Sequence, residues 1–368
     1  MPQTLFIGLM SGTSTDGVDA VLADFLQPSA PVILASASLA MPATLREEFL
    51  ALNIAGPNEL TRAALAGNAL AELYACAVQN VLEQASLPAE RISAIGAHGQ
   101  TVRHDPAAGY TIQINAPALL AERTGIDVIA DFRSRDVAAG GQGAPLVPAF
   151  HHALFACGRP RAILNLGGIA NVTLLGPAGE VRGFDTGPAN VLLDMWVQAK
   201  TGRSYDNNGA WAASGRANTA LLEFLFSSEP WFEQAPPKST GRDLFNWQWL
   251  QQRLEAFSGP TLADNDIQAT LQQLTAVTVA RAITRYAPQT EETLVCGGGA
   301  LNGGLMQDLQ NALSCPVHAT SDLNVPVQLV EALAFAWLAW AHANGYKAGL
   351  PAVTGARQAS LLGCRYPA

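Results

Sequence analysis

Ile163-Leu164-Asn165-Leu166-Gly167-Gly168-Ile169-Ala170-Asn171-Val172-Thr173-Leu174-Leu175 is an apolar run, a paired-glycine turn and a second apolar run. Apolar and β-branched residues broken by glycine predict two strands joined by a tight turn. A third strand is expected over residues 181–184, and long helical patterns follow. The chain opens in the same way. Apolar residues 4–9 and 18–25 flank Ser11-Gly12-Thr13-Ser14-Thr15-Asp16-Gly17, a third strand is expected over 32–39, and helices over 42–52 and 59–84. One strand–glycine turn–strand–strand unit therefore occurs twice, each copy followed by helices and further strands. Two α/β domains around a cleft are expected, and ligands of open α/β sheets bind at the carboxyl ends of the strands. The glycine- and proline-rich residues 138–148 are the best candidate connection. A first domain is accordingly placed at residues 1–145, with 345–368 returning to it, and a second at 146–344.

The composition agrees with a two-domain enzyme. The 368 residues are 49% hydrophobic and only 14% charged, too apolar for a disordered chain. A net charge of −9 argues against a nucleic-acid partner, which calls for clustered Lys and Arg. Five scattered cysteines without a CxxC pair suggest buried thiols in a reducing compartment. His151-His152 lacks an HExxH context, which argues against a metal there. The apolar run of residues 332–341 is too short for the ~20 residues that span a bilayer, so no membrane partner and a cytoplasmic location are expected.

Three glycine-rich turns carry the chemistry. In the first, Gly12, Thr13, Ser14, Thr15, Asp16 and Gly17 combine close backbone approach with hydroxyl donors, as phosphate binding requires. A plain hairpin turn would use the same residues, and no Gly-Lys-Ser/Thr closes a Walker loop. Asn165, Gly167 and Gly168 form the second turn. Gly297, Gly298 and Gly299 lie between a strand and a helix start, where the positive end of the helix favours a nucleotide. Asp185, in Gly183-Phe184-Asp185-Thr186-Gly187-Pro188, is on local pattern either a base projecting from a strand end or the N-cap of the next helix. Arg133 either pairs bidentately with a substrate carboxylate or joins a surface Arg–Asp pair. Lys238, in Pro237-Lys238-Ser239-Thr240-Gly241, either approaches phosphate or decorates a surface loop.

These segments carry a resemblance. GLMSGTSTDGVDA (8–20), ILNLGGIANVTLL (163–175) and LVCGGGALNGGLM (294–306) resemble the two phosphate motifs and the adenosine motif of the actin-like ATPase superfamily. More narrowly, AIGAHGQTVRH (94–104), the run from Asp127 to His151, RGFDTGPAN (182–190), GAWAASG (209–215), PKSTGRD (237–243) and EALAFAWLA (331–339) are similar to the anhydro-N-acetylmuramic acid kinase family. The resemblance implies duplicated actin-like (ribonuclease H-like) domains around a central nucleotide cleft that closes on its ligands. It also implies ATP and Mg2+, a small sugar substrate and a homodimer. The activity it implies is cleavage of the 1,6-anhydro ring with phosphorylation at O6, in cell-wall recycling. The alternative in the same fold is a simple sugar kinase acting on a free hydroxyl.

The same resemblance makes Asp185 the base and assigns the three turns, with Asp19, to the nucleotide. His98, Gln100, Thr101, Arg133 and Glu331 fall to the sugar, Arg133 meeting its lactyl carboxylate and Glu331 its hydroxyls; on local pattern alone His98 at a strand end reads as structural and Glu331 as a first-turn helix carboxylate favoured by the dipole. Met10 and Asn165 stand where the superfamily usually has magnesium-orienting aspartates. Asp16, Asp19 and Asp185 are left as candidates to hold the metal through water.

Overall fold

A computed structural model describes residues 4–12 and 14–368 and divides the chain into two compact units, 1–155 with 329–368 and 156–328. Along the chain the strands are β1 (Leu5–Met10), β2 (Gly17–Asp24), β3 (Val32–Ala40), β4 (Ala94–Ala97), β5 (Gln100–Asp105), β6 (Tyr110–Ile114) and β7 (Val128–Ala130). They continue as β8 (Arg161–Leu166), β9 (Ile169–Leu175), β10 (Val181–Pro188), β11 (Glu292–Cys296), β12 (Val317–Ala319) and β13 (Cys364–Tyr366).

In the first unit the sheet runs β13-β7-β4-β1-β2-β3, with β1, β2 and β3 antiparallel and β4 and β7 parallel to β1. In the second it runs β10-β9-β8-β11-β12, again an antiparallel meander followed by two parallel strands. Apart from β13, added at the edge of the first, both sheets have the order third, second, first, fourth, fifth, so the internal repeat seen in the sequence is a repeat of topology. Strands β5 and β6 form a separate hairpin, which periodicity had shown only in part.

Alternation on β1 explains how the first unit packs. Leu5, Ile7 and Leu9 join Leu70, Tyr74 and Val78 of helix Glu59–Ala85 in one apolar cluster. On the other face helix Val330–Ala343 crosses β1 and β4 at Gly8 and Gly96. A Cβ at Gly8 would run into the backbone of Ala332 and Ala336, and one at Gly96 into the carbonyl of Phe335. This close approach is why the helix belongs to the first unit, not to the second as its position in the chain suggested. Helix Pro148–Phe155 also lies in the first unit, its Phe150 ring 6.1 Å from that of Trp337. The division therefore follows Phe155 rather than residue 145.

Residues 138–148 are not a free connection. The Asp136 carboxylate accepts from the Gly143 N–H at 2.8 Å and from the Thr354 hydroxyl at 2.8 Å, and Gln142 donates to the Thr354 carbonyl. Glycine at 141 makes room for that carboxylate. In the second unit, one cluster packs β8 and β9 on Val279 and Ile283, and another gathers Trp196, Trp231, Phe245 and Trp249. Among the described residues none of the five cysteines forms a disulfide; Cys76, Cys157 and Cys364 are exposed, so only Cys296 and Cys315 are the buried thiols expected. Among the described residues no helix is long and apolar enough to cross a membrane.

Candidate active site

The first unit presents the β1–β2 turn. Thr13 lies outside the described residues. The Gly12 carbonyl accepts from the Thr15 N–H and from Gln100 Nε2, both at 3.1 Å, and the Ser11 carbonyl lies 3.2 Å from His98 Nδ1. Ser11 Oγ donates to Gln100 Oε1 at 2.5 Å. Thr15 takes a left-handed φ of 53° and is buried, its hydroxyl turned to the Ser14 carbonyl. Ser14 donates to the exposed Asp16. Gly17 serves packing, since a Cβ there would sit 2.6 Å from the Leu39 carbonyl.

Behind the turn lie a cation and two partly buried carboxylates. Arg133 donates to the Gly143 carbonyl at 2.9 Å and to His98 Nε2 from Nε and Nη2 at 3.2 and 2.9 Å. It forms no surface pair with a neighbouring Asp; burial brings its guanidinium down to about 10, against the field of Glu331 and Asp136. Burial likewise raises the Glu331 carboxyl, countered by Arg133 and reinforced by Asp19 and Asp16. Asp19 accepts from Ser38 at 2.5 Å, and burial raises it as well. Thr101 stands apart from this network, its hydroxyl accepting from Gln113 at 3.2 Å. Ser38 carried no sequence signal, being one polar residue in an edge strand.

The second unit holds the other two turns. At β8–β9 the Leu166 carbonyl accepts from Asn190 Nδ2 and the Gly167 carbonyl from the Asn190 N–H, both at 3.1 Å. The Gly168 carbonyl accepts from Ala189 and Val191 at 2.9 and 3.0 Å. Cys296 pairs with Asn165, so β11 delivers Gly297-Gly298-Gly299 beside this turn. A single 3-10 turn, Gly298–Leu301, comes before helix Gly303–Ala312. At the start of that helix the Gly303 N–H donates to Asn208 and the Leu305 N–H to Asn302. Within the glycine turn Gly298 is the exposed residue, Gly299 is buried and the Gly297 N–H donates to the Val327 carbonyl.

Not all these glycines are demanded by the fold. A Cβ at Gly297 or Gly299 would strike Asn165 or Leu166, and Gly297 has φ 82°. At Gly12, Gly167, Gly168 and Gly298 the nearest neighbour of such a Cβ is 3.6 to 4.0 Å away, and none has a left-handed φ. Packing would tolerate alanine at these four positions; glycine there leaves open backbone that a phosphate or a nucleoside can reach. In each unit taken by itself, the open turn therefore fits a phosphate or nucleoside group. Among the described residues no group of three His, Cys, Asp or Glu is arranged to hold a metal ion. A magnesium ion carried by phosphates and water would need fewer protein ligands.

Asp185 lies within β10, paired with Asn171 just before a bulge. Helix Asn190–Thr201 begins later with Ala189 at its cap, so Asp185 is not its N-cap. Its Oδ2 accepts from the Thr240 N–H at 2.8 Å, and its own N–H donates to the Lys238 carbonyl at 3.2 Å. Lys238 in turn donates to the Phe232 carbonyl at 3.0 Å and lies 4.2 Å from the centre of the Trp231 ring. Burial pushes the Asp185 carboxyl up to about 7 despite the Thr240 N–H and the Lys238 charge, which favour ionisation. Thr240 was missed because a backbone donor leaves no mark in the sequence. A half-buried carboxylate with one oxygen anchored, titrating near neutrality, is suited to accept a proton.

The chain was compared with known proteins. At 14% identity it superposes with a TM-score of 0.50 on component A of (R)-2-hydroxyglutaryl-CoA dehydratase from Acidaminococcus fermentans, over 90% of this chain and 96% of that one. That likeness speaks for the fold alone. A protein of Bordetella parapertussis called anhydro-N-acetylmuramic acid kinase is 65% identical over 368 residues, covering 100% of this chain and 97% of the relative. Its namesake in Paraburkholderia xenovorans is 53% identical over 370 residues, covering 99% and 98%. The family model for anhydro-N-acetylmuramic acid kinase matches residues 4–368, taking in both sheets, all three turns and Asp185. With its duplicated actin-like α/β units, the chain belongs to the anhydro-N-acetylmuramic acid kinase family.

Proposed function

We propose that the protein opens the 1,6-anhydro ring of anhydro-N-acetylmuramic acid and phosphorylates O6 with ATP, giving N-acetylmuramic acid 6-phosphate and ADP. The observation that carries this reading is Asp185, held by backbone hydrogen bonds and raised by burial to about 7. Asp185 takes a proton from water as the water oxygen bonds to the anomeric carbon. The C1–O6 bond breaks, O6 bonds to the γ-phosphorus, and the bond from that phosphorus to ADP breaks. Water activation opposite a leaving oxygen follows the logic of inverting glycoside hydrolysis. Because O6 leaves toward phosphorus rather than toward a proton, no second carboxylic acid is needed. Phosphoryl transfer chiefly requires positioning and neutralised charge.

The open glycines of the three turns support nucleotide binding at Gly12, Gly167, Gly168 and Gly298, flanked by Ser14 and Asn165. Magnesium, carried with the phosphates, would neutralise their charge, and Asp16, Asp19 and Asp185 are the carboxylates that would orient its water shell. Arg133 is assigned to the lactyl carboxylate and Glu331 to sugar hydroxyls. An ATP-driven step on a cell-wall sugar fragment is placed in the cytoplasm, as a recycling reaction.

The test is mass spectrometry of the product formed from the anhydro sugar, ATP and magnesium in heavy-oxygen water. Gain of one phosphoryl group and one water, with heavy oxygen at the anomeric carbon, is expected. A product gaining only the phosphoryl group would make the protein an ordinary kinase acting on a free hydroxyl.

A further inference from the structure

Strand β4 lies beside β1 with Ala97 opposite Leu9, and the His98 N–H donates to the Leu9 carbonyl at 3.0 Å. The chain therefore leaves β4 alongside the β1–β2 turn, and two buried side chains point to that turn. His98 and Gln100 are only 4% and 1% exposed. Between them Gly99 takes φ 81°, and a Cβ there would sit 2.8 Å from the Ile114 carbonyl, so the position requires glycine.

The partners of His98 fix its chemistry. A carbonyl oxygen can only accept, so the ring nitrogen facing Ser11, Nδ1, carries the hydrogen. A guanidinium can only donate, so Nε2, which faces both Nε and Nη2 of Arg133, carries the lone pair. Neither nitrogen has capacity left for a sugar hydroxyl. The ring also packs 4.8 Å from Phe335, and burial together with Arg133 keeps it neutral, its pKa lowered to about 3. Gln100 closes the other side, accepting from Ser11 Oγ and donating to the Gly12 carbonyl.

We propose that His98 is a positioning residue joining the β1–β2 turn to Arg133, with Gln100 as a second pin on that turn, and that neither touches the sugar. By occupying the Ser11 and Gly12 carbonyls they turn acceptors away from the open side of the turn, where an anion needs donors. Through its other nitrogen His98 orients the Arg133 fork, so that one imidazole serves two recognition tasks. The inference rests on the reading above, in which the turn holds phosphate and Arg133 holds the lactyl carboxylate.

Two substitutions separate the tasks. His98→Asn can offer an amide N–H to Ser11 but does not reach Arg133; His98→Gln can offer an amide oxygen to Arg133 but loses the donor to Ser11. Losing one buried, charge-assisted hydrogen bond costs roughly tenfold or more in the affinity it supports. His98→Asn is expected to raise KM for the anhydro sugar by that factor while KM for ATP stays within about threefold, and His98→Gln to show the reverse. If both variants raised only the sugar KM, His98 would be a sugar contact and the proposal overturned. Parallel losses in both constants and kcat, tracking a fall in Tm, would overturn it too. Nitrogen-15 spectra of the wild-type protein should show a neutral Nδ1–H ring unchanged from about pH 5 to about pH 9; the other tautomer, or a titration, would overturn it. Should the wild-type protein fail to act on the anhydro sugar, the reading of function falls. The affinity of each variant for a non-hydrolysable ATP analogue then still decides the nucleotide arm, with weakening expected for His98→Gln alone.

Discussion

The β1–β2 and β8–β9 turns occupy the same place in two copies of one topology, yet they are held by different means. In the first, side chains from the segment after β4 occupy the carbonyls of Ser11 and Gly12. In the second, the carbonyls of Gly167 and Gly168 are taken by the backbone of residues 189–191, with Asn190 adding one side-chain bond to Leu166. Both solutions occupy carbonyls of the turn. They differ in fragility, since a side-chain brace is lost with one substitution whereas a backbone brace survives most.

The largest effect is expected where the backbone-held unit nonetheless relies on a single side chain. Asp185→Asn should lower kcat by at least roughly 10²–10⁴-fold, the range of acid–base catalysis, in a coupled ADP-release assay. In the wild-type protein, turnover should fall as the pH drops through about 7, because the raised carboxyl is then protonated and cannot act as base. Stability supplies the matching sign. A carboxyl shifted from 3.8 to about 7 by folding makes the folded state less stable as pH rises between those values. The gain in Tm of Asp185→Asn over wild type should grow across that window and level off above it.

Gln100→Leu attacks the side-chain brace and leaves the Gly12 carbonyl and Ser11 hydroxyl short of a partner. KM for ATP should rise by roughly 10- to 100-fold, as for one to two buried hydrogen bonds. Gly168→Ala probes the open backbone instead. Because a Cβ there meets nothing closer than 3.8 Å, Tm should hold while KM for ATP rises by roughly tenfold. A fall in Tm without a change in KM would mean that the glycine serves the fold. Asn190→Ala should do least, below about fivefold in the same constant, since three backbone bonds remain on the turn. Were it to match Gln100→Leu, the contrast between the two braces would be lost.

The hairpins were legible because each is local: the two apolar runs and the glycine turn between them are contiguous, from Leu5 to Asp24 and from Arg161 to Leu175. So were the helices Glu59–Ala85, with its long amphipathic pattern, and Val330–Ala343, a continuous apolar run. What stayed hidden depends on distant partners. Residues 138–148 have the glycine content of a linker, yet Asp136 reaches Thr354 across 218 residues to fix them. The apolar helix Val330–Ala343 carries no sign of which sheet it will cover; that is decided at Gly8 and Gly96, where only a hydrogen leaves it room. Among the site residues, Asp185 and Arg133 drew attention by type and motif, whereas Glu331 was singled out by the resemblance alone. The Ser11–His98–Arg133 chain joins three separate motifs and could not be read from any one of them.

The placement of that helix sets an order of assembly. Synthesis runs from the N-terminus, and domains usually fold in the order they emerge. Here the second unit, ending at Gln328, is complete while the first still lacks residues 329–368. Until Val330–Ala343 leaves the ribosome, the grooves over Gly8 and Gly96 stand open, and one face of the first sheet is bare apolar surface. The unit begun first is finished last, so a stalled or truncated message should release a chain whose N-terminal half, not its last-made half, is the part that chaperones and proteases find.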